Sequence, residues 1–549
     1  MRTKSLAVKA TALAGSAALL AMGVPAFADT SSTTGLSYGD IQQGRQGSIT
    51  IYKHAYQTGD AVVGNPVTEG DDLAGASEAI SGVTFAAYKF ADLNLTGDGA
   101  NDNWQKLSSL QVPANACDAV RYSATPTPSV SGDPVVPSYT FEAGKLFAAT
   151  DGSGMAKLSN LAQGAYLLCE VDAPTEITRK AAPFLVTIPY PDTTRAGATK
   201  QWAYDITVFP KNSKTTVNKT IEEQIQHGLG IGSEVRFPVT ADIPVIAENE
   251  KFKQIFFEDP MDSRFENLGV ASIKIGAETL TFATDATPGV DAYVGINGQS
   301  IYVDFAASGL AKALANQGKQ IEVVFKGTLK ELGDGTVKNK AKVWIIPVPE
   351  DEPDEPPTTP PTTPPTTPPN ETPEVKDHWG NLKLHKVDAA DNATGLTGAQ
   401  FQVFAAATPY PENNICTTET TGEALTVGGE TVFTSNAQGV VEIPGLFVSD
   451  SEHEKINASQ RCYVLVEIKA PDGYVLPAGD DAKTAVAVKT GATAEIEYDV
   501  IVSNTKSDIP ELPLTGAAGR IIMVMVGTAL VLLAVGMYFV RRRNTAARA

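Results

Sequence analysis

Between the two ends of this chain, apolar residues recur at every second position in short runs bounded by Gly, Pro, Asn and Thr. Ile49-Thr50-Ile51-Tyr52, Ile206-Thr207-Val208-Phe209 and Glu495-Ile496-Glu497-Tyr498 are examples. A period of two with frequent turn residues predicts half-buried strands rather than helices. About 490 residues of this texture predict an all-β body of three sandwich domains.

Three stretches break the alternation. Arg2, Lys4 and Lys9 precede an apolar run through Ala21, and Ala26-Phe27-Ala28 offers small residues on both sides of a cleavage point. That order predicts an export signal over residues 1–28. Near the other end, Ile521 to Val540 is almost continuously apolar and Arg541-Arg542-Arg543 follows. Roughly twenty residues at about 1.5 Å each match one bilayer core, and the arginines are expected to stay cytoplasmic. Residues 517–549 therefore read as a transmembrane segment with a basic tail. The third break, Pro347 to Pro373, contains Thr-Thr-Pro-Pro three times between Thr358 and Pro369. Such a run forms no core of its own and predicts an extended polyproline spacer. The expected division is then 29–212, 213–346, a linker over 347–377, and 378–511.

An internal repeat supports this division. Gly47-Ser48-Ile49-Thr50-Ile51-Tyr52-Lys53, Gly82-Val83-Thr84-Phe85 and Tyr166-Leu167-Leu168-Cys169-Glu170-Val171-Asp172-Ala173-Pro174 occur in the first part. In the last part Leu382-Lys383-Leu384-His385-Lys386, Gly398-Ala399-Gln400-Phe401 and Tyr463-Val464-Leu465-Val466-Glu467-Ile468-Lys469-Ala470-Pro471 follow in the same order. The two parts read as copies of one sandwich type.

Side chains two apart on a strand share a face. By that parity Lys53 follows Ile49 and Ile51 inward, Lys386 follows Leu382 and Leu384, and Lys219 follows Val217. Glu170, Asp259 and Glu467 fall on inward positions of their own strands, and so do Asn212, Asn339 and Asn504 near each domain's end. A buried ammonium costs several kcal/mol unless compensated, so an early Lys, a later acid and a last-strand Asn in every domain form a pattern. Desolvation favours a neutral amine and a protonated acid. The acid can polarise the Asn amide while the amine attacks it, expelling ammonia and leaving a neutral Lys–Asn isopeptide. A buried Lys–acid ion pair with a hydrogen-bonded Asn is the plainer reading.

Four cysteines permit three pairings. Export and the domain partition favour Cys117–Cys169 and Cys416–Cys462; free or metal-bound thiols are the other reading, though no CxxC spacing supports it. Removing both ends takes away eight cations and no acid, moving the formal charge from −20 to −28. So acidic a body disfavours nucleic acid as a partner. The five histidines are scattered, and no nucleophile elbow, P-loop or zinc spacing is present. The chain is read as no enzyme, with no cofactor. Asp92-x-Asn94-x-Thr96-Gly97-Asp98 imitates the start of a calcium loop, but Asn103 replaces the closing Glu, and it is read as a polar turn.

Leu512-Pro513-Leu514-Thr515-Gly516 stands immediately outside the predicted anchor. Pentapeptide, apolar span and basic tail in this order resemble the sorting signal of Gram-positive surface proteins. The resemblance implies that a sortase cuts between Thr515 and Gly516 and passes the threonine acyl group to an amine. Trp202-x-x-x-Ile206-x-Val208-Phe209-Pro210-Lys211 resembles the pilin motif WxxxVxVYPK of sortase-assembled pili, with Ile206 for Val and Phe209 for Tyr. The first and third domains resemble CnaB-type sandwiches and the middle one, with Glu258-Asp259-Pro260-Met261, the CnaA type. Tyr463-x-Leu465-x-Glu467-x-x-Ala470-Pro471-x-Gly473-Tyr474 resembles the pilin E-box, with Ile468 where Thr is usual.

The chain thus resembles a major pilin over essentially its whole length. That implies Lys–Asn isopeptides at Lys53–Asn212, Lys219–Asn339 and Lys386–Asn504, promoted by Glu170, Asp259 and Glu467. It further implies Thr515-to-Lys211 joining of copies head-to-tail by a pilin-class sortase, with Lys211 facing solvent. Peptidoglycan (through a housekeeping sortase), minor pilins and an unknown host ligand are the other implied partners, at the cell wall surface. A non-polymerising wall-anchored adhesin, or a tip or basal pilin, shares most of these features without needing Lys211 in the same way.

Overall fold

The computed structural model describes residues 41–56, 77–97, 99–110, 112, 116–117, 139–192, 201–247, 249–353, 355–453, 455–494, 497–507 and 524–537. The expected export signal and the pentapeptide Leu512 to Gly516 lie outside them. Residues 524–537 of the apolar run are helical, and among the described residues no helix is long and apolar enough to cross a membrane.

The body is β-sandwich throughout, as the period-two pattern predicts. In the first domain, strand Gly47–Tyr52 lies between Asp205–Val208, to which it is parallel, and antiparallel Met155–Leu161. The facing sheet runs Lys145–Leu146, Thr84–Lys89, Gly164–Asp172, Phe184–Ile188. Ile49, Ile51, Phe85, Leu168 and Val208 fill the space between them. Helix Ala100–Ser109 closes one side through Trp104, which packs on Trp202 with ring centroids 5.6 Å apart.

The last domain repeats this plan. Val375–Asp388 pairs in parallel with Val500–Asn504 and antiparallel with Val440–Asp450. Gln400–Ala406 and Gln460–Lys469 form the heart of the opposite sheet. The middle domain differs. Its five-stranded sheet runs Val217–Lys219, Glu234–Asp242, Gln320–Leu329, Phe265–Ile275, Glu278–Thr279. A six-stranded sheet centred on Glu250–Pro260 faces it.

The expected linker over 347–377 is not a free spacer. Its first residues belong to strand Lys342–Pro349, Asn370–Glu371 pairs back onto that strand, and Val375 to His378 pair with Thr336–Asn339 of the middle domain. The Thr-Pro run between them lies as a strap across the six-stranded sheet, against Trp344, Asn297 and Gly295. The carbonyls of such a run can accept hydrogen bonds although its proline nitrogens cannot donate. The sheet supplies the donors: Trp344 Nε1 gives to Thr367 O at 2.6 Å and Asn297 Nδ2 to Thr362 O at 3.1 Å. Gly295 admits the strap, since a Cβ there would overlap the Pro361 carbonyl.

Strand Val375–Asp388 thus begins in the middle domain and ends in the last. Loop residues Leu229 to Gly232 reach back the other way: Ile231 N gives to Gly445 O at 2.8 Å and Phe447 N to Leu229 O at 2.8 Å. The apolar cores of these two domains are continuous, whereas the first domain keeps its own.

Candidate functional site: three buried lysines and one half-covered lysine

Ile49, Ile51 and Lys53 are each 0 % exposed, so strand parity carries a lysine into the first core. Lys53 Nζ lies 2.9 Å from Glu170 Oε2 and 2.5 Å from Asn212 Oδ1. Asn212 Nδ2 donates to Glu170 Oε1 at 2.7 Å, closing a ring of three side chains. The Ala181 N–H donates to Glu170 Oε2 at 3.0 Å and fixes the carboxyl from behind. Burial pulls the Lys53 ammonium down to about 8 despite the opposing attraction of Glu170. The shift makes the neutral, nucleophilic amine far more accessible than in an ordinary lysine.

The last domain builds the same ring from equivalent strands. Lys386 Nζ lies 3.0 Å from Glu467 Oε2 and donates to Asn504 Oδ1, while Asn504 Nδ2 donates to Glu467 Oε1 at 2.7 Å. All three side chains are buried, and burial again lowers the lysine against the pull of Glu467. Phe401 and, in the first domain, Phe85 wall the amines at 5.8 and 5.5 Å from ring centroid to Nζ.

In the middle domain Lys219 Nζ stands 2.5 Å from Asp259 Oδ2, enclosed by Phe237 and Phe325. Burial drives Lys219 down and Asp259 up, the direction that converts the ion pair into amine plus acid. Asn339 is buried in the same core, giving its Nδ2 to Met261 Sδ at 3.3 Å. Asp259 Oδ1 and Asn339 Oδ1 are buried with no hydrogen-bond partner. Two orphaned oxygens are costly, and the middle triad is less closed than the other two.

Lys211 is the neighbour of Asn212 on strand Lys211–Lys214, which lies between His54–Ala55 and Ile177–Arg179. Alternation sends Asn212 inward and Lys211 outward, as expected. The expectation that Lys211 faces open solvent is not met: it is half-buried, and its amine donates to Ser77 Oγ at 3.3 Å. Burial lowers its pKa as well. The cause is the chain from Ser77 to Ala79, which pairs beside His54 and lies over the lysine. Nothing in the sequence pattern marked Ser77 or His54. Of the other motif residues, Trp202, Ile206, Val208 and Pro210 are buried, and Phe209 stacks on Tyr52 with centroids 5.8 Å apart.

Both disulfides lie within single domains, Cys117–Cys169 and Cys416–Cys462, with Cα atoms 5.7 and 5.5 Å apart. Among the described residues Asp92 belongs to no cluster of potential metal ligands. Its Oδ2 accepts from the Thr140 N–H at 2.8 Å and hydroxyl at 2.5 Å, tying two loops together.

Comparison with known proteins agrees with this architecture. The model of the Gram-positive pilin subunit D1 N-terminal domain matches residues 44–213. A prealbumin-like fold domain matches residues 380–500, and the LPXTG cell wall anchor motif matches 504–546. These features define a wall-anchored, multi-sandwich surface protein of the pilin type. The chain is 38% identical over 556 residues to fimbrial subunit type 2 of Actinomyces naeslundii, covering 98% of this chain and 97% of that one. It is 28% identical over 552 residues to fimbrial subunit type 1 of Actinomyces viscosus, covering 95% and 94%. The full-length major pilin SpaD from Corynebacterium diphtheriae superposes with a TM-score of 0.62 at 25% identity, over 86% of this chain and all of that one. The chain belongs to the family of Gram-positive fimbrial subunits. It is a structural protein of the cell-wall surface, not a member of an enzyme family.

Proposed function

We propose that copies of this chain are joined covalently, Thr515 of one to Lys211 of the next, to form the shaft of a fimbria. A sortase cysteine attacks the Thr515 carbonyl and expels the amine of Gly516, leaving a thioester. The neutral Lys211 amine attacks that carbonyl, the C–S bond breaks, and the amine's proton returns to the enzyme's thiolate. Each subunit donates one carboxyl end and one lysine, so contacts are head-to-tail and do not close into a ring. A housekeeping sortase would transfer the finished fibre to peptidoglycan. Minor pilins and a host ligand complete the assembly in this reading.

The buried triads have a separate role. The acid hydrogen-bonds the Asn amide, the lysine attacks Cγ, and ammonia leaves, so that each domain is closed by a Lys–Asn isopeptide: Lys53–Asn212, Lys219–Asn339 and Lys386–Asn504. The reaction is single-turnover and internal to each domain.

The observation that carries the reading is the contrast on one strand. Lys211, in the pilin motif, keeps an accessible face, while adjacent Asn212 closes a buried ring with Lys53 and Glu170. One strand thus serves an intermolecular and an intramolecular amide. Cells carrying a pilin-class sortase are expected to show a ladder of high-mass species on denaturing gels with the wild type and only monomer with Lys211→Ala. Digests are expected to contain a branched peptide linking Thr515 to Lys211. An unchanged ladder in the variant refutes the assignment of the lysine, and monomer alone in both refutes polymerisation.

A further inference from the structure

We infer that Ser77, clamped by His54 and Ala55, is the positioning residue that aims the lone pair of the Lys211 amine at the incoming acyl group. The inference rests on the reading of Lys211 as the acceptor. It adds a part that neither the sorting motif nor the pilin motif contains.

His54 and Ala55 form the short strand directly beside Lys211, paired His54 to Lys211 and Ala55 to Asn212. From the other side, Ala55 N gives to Glu78 O at 2.9 Å, and His54 bridges to Ala79. Ser77 is thereby held at both of its polar ends. His54 Nδ1 lies 2.5 Å from the Ser77 carbonyl oxygen, and Ser77 Oγ donates its own hydrogen to the Ala55 carbonyl. A ring nitrogen so close to a carbonyl must carry the proton. That leaves Nε2 as the bare nitrogen, and it is buried without a partner. His54 itself is almost wholly buried and is held neutral by that burial and by the lysines near it.

The consequence for Lys211 follows from the direction of each hydrogen bond. Because the Ser77 hydroxyl hydrogen is committed to Ala55, Oγ can only accept from the lysine. Once the amine is neutral, one of its N–H bonds points at Oγ at 3.3 Å. Its lone pair is then turned away from the hydroxyl, toward the side from which a carbonyl can approach. A free rotor at Ser77 would instead donate into the lone pair and block attack. His54 and Ala55 remove that option, so the pair acts by pre-orientation.

The test separates donor from acceptor in the full chain. Lys211→Ala serves as donor only and Thr515→Ala as acceptor only, so a pilin-class sortase makes a single ligation between them. Acceptor chains also carry Ser77→Ala, Ser77→Thr, His54→Asn or His54→Leu, and the rate is measured against acceptor concentration and pH. Formation of the Lys53–Asn212 isopeptide, read as the branched peptide joining those two residues in digests, reports that the first domain has folded in each variant.

Ser77→Ala is expected to lower the limiting rate about tenfold or more, with the loss persisting on the alkaline plateau where every amine is neutral. Ser77→Thr keeps the hydroxyl and restores the rate. His54→Asn keeps an N–H donor near Nδ1 and falls between wild type and His54→Leu. A plateau unchanged in Ser77→Ala overturns the inference, as does equal loss in Ser77→Thr. If the Thr515→Ala acceptor with wild-type Ser77 is not ligated at all, the underlying assignment of Lys211 fails instead.

Discussion

Asn504→Ala distinguishes a covalent last domain from an ion-paired one. Lys386 and Asn504 are 118 residues apart in sequence, so their isopeptide would close most of the domain into one loop. Treated as a cross-link on the unfolded chain, a loop of that length contributes about 5 kcal/mol. The Cys416–Cys462 disulfide already short-circuits part of the path, which reduces the figure to about 4 kcal/mol. The substitution leaves Lys386 and Glu467 paired at 3.0 Å, so no unpaired charge is created. Were there no isopeptide, it would remove two hydrogen bonds to charged partners and cost about 2–3 kcal/mol, cavity included. A cross-linked domain is therefore expected to lose roughly 4–7 kcal/mol in total and to melt roughly 10–30 °C lower. Intact mass gives the decisive readout. The wild type is expected to be lighter than its sequence by about 17 Da for each isopeptide and about 2 Da for each disulfide, and Asn504→Ala to regain one 17 Da step. A wild type lacking only the disulfide hydrogens, or a variant that melts with the wild type, refutes the argument.

Three other outcomes are expected. Asp377 is fully buried at the junction of the last two domains, its Oδ2 accepting from Trp379 Nε1 at 2.8 Å, and burial raises it to about 8. Its folded pKa lies above its unfolded value, so its contribution is complete at acid pH and is lost as pH rises toward about 8; Asp377→Asn should flatten that fall in a series of melting curves, and an unchanged pH slope would show that the carboxyl does not titrate there. Gly295→Ala places a methyl against the Pro361 carbonyl, and is expected to lift the strap, cost about 1–3 kcal/mol and alter Trp344 fluorescence; an unchanged emission spectrum counts against the strap. Replacing Cys416 and Cys462 together by Ser is expected to cost about 2–4 kcal/mol in denaturant titrations, and no loss would place the domain's stability in its isopeptide alone.

The sandwich class, the internal repeat and the inward lysines were legible because a strand's parity is a local property. Ile49, Ile51 and Lys53 declare a shared face with no knowledge of what lies opposite. The course of the Pro-Thr run was not legible, because composition says that it cannot form a core and nothing about a surface that could hold it. Trp344, Asn297 and Gly295, which hold it, are scattered over the preceding domain and look like ordinary strand and turn residues. The cover over Lys211 was missed for a similar reason. Parity assigns a side, but whether that side is open depends on Ser77, more than a hundred residues earlier. Asp377 was hidden because an Asp beside a predicted linker reads as solvated, whereas its strand continues from one domain into the next.

What parity alone could not supply is the reason that each inward lysine finds an Asn, and the parallel pairing of first and last strands supplies it. Lys386 sits directly across from Val502, and Asn504 is the next residue on the same face. In the first domain the pairing of His54 with Lys211 sets Lys53 across from Pro210, and Asn212 is again the next on that face. The same offset in both domains follows from register, since a slip of one residue would turn either Asn outward. A parallel pair of terminal strands also leaves the chain ends at opposite ends of the domain. A bond between them therefore ties the strand that enters to the strand that leaves, the arrangement a subunit needs when it is pulled along its length. The middle domain, whose Lys219 and Asn339 belong to different sheets, lacks that register, and its Lys219 is held by Asp259 alone of the other two. Its two unpartnered oxygens are where the difference appears.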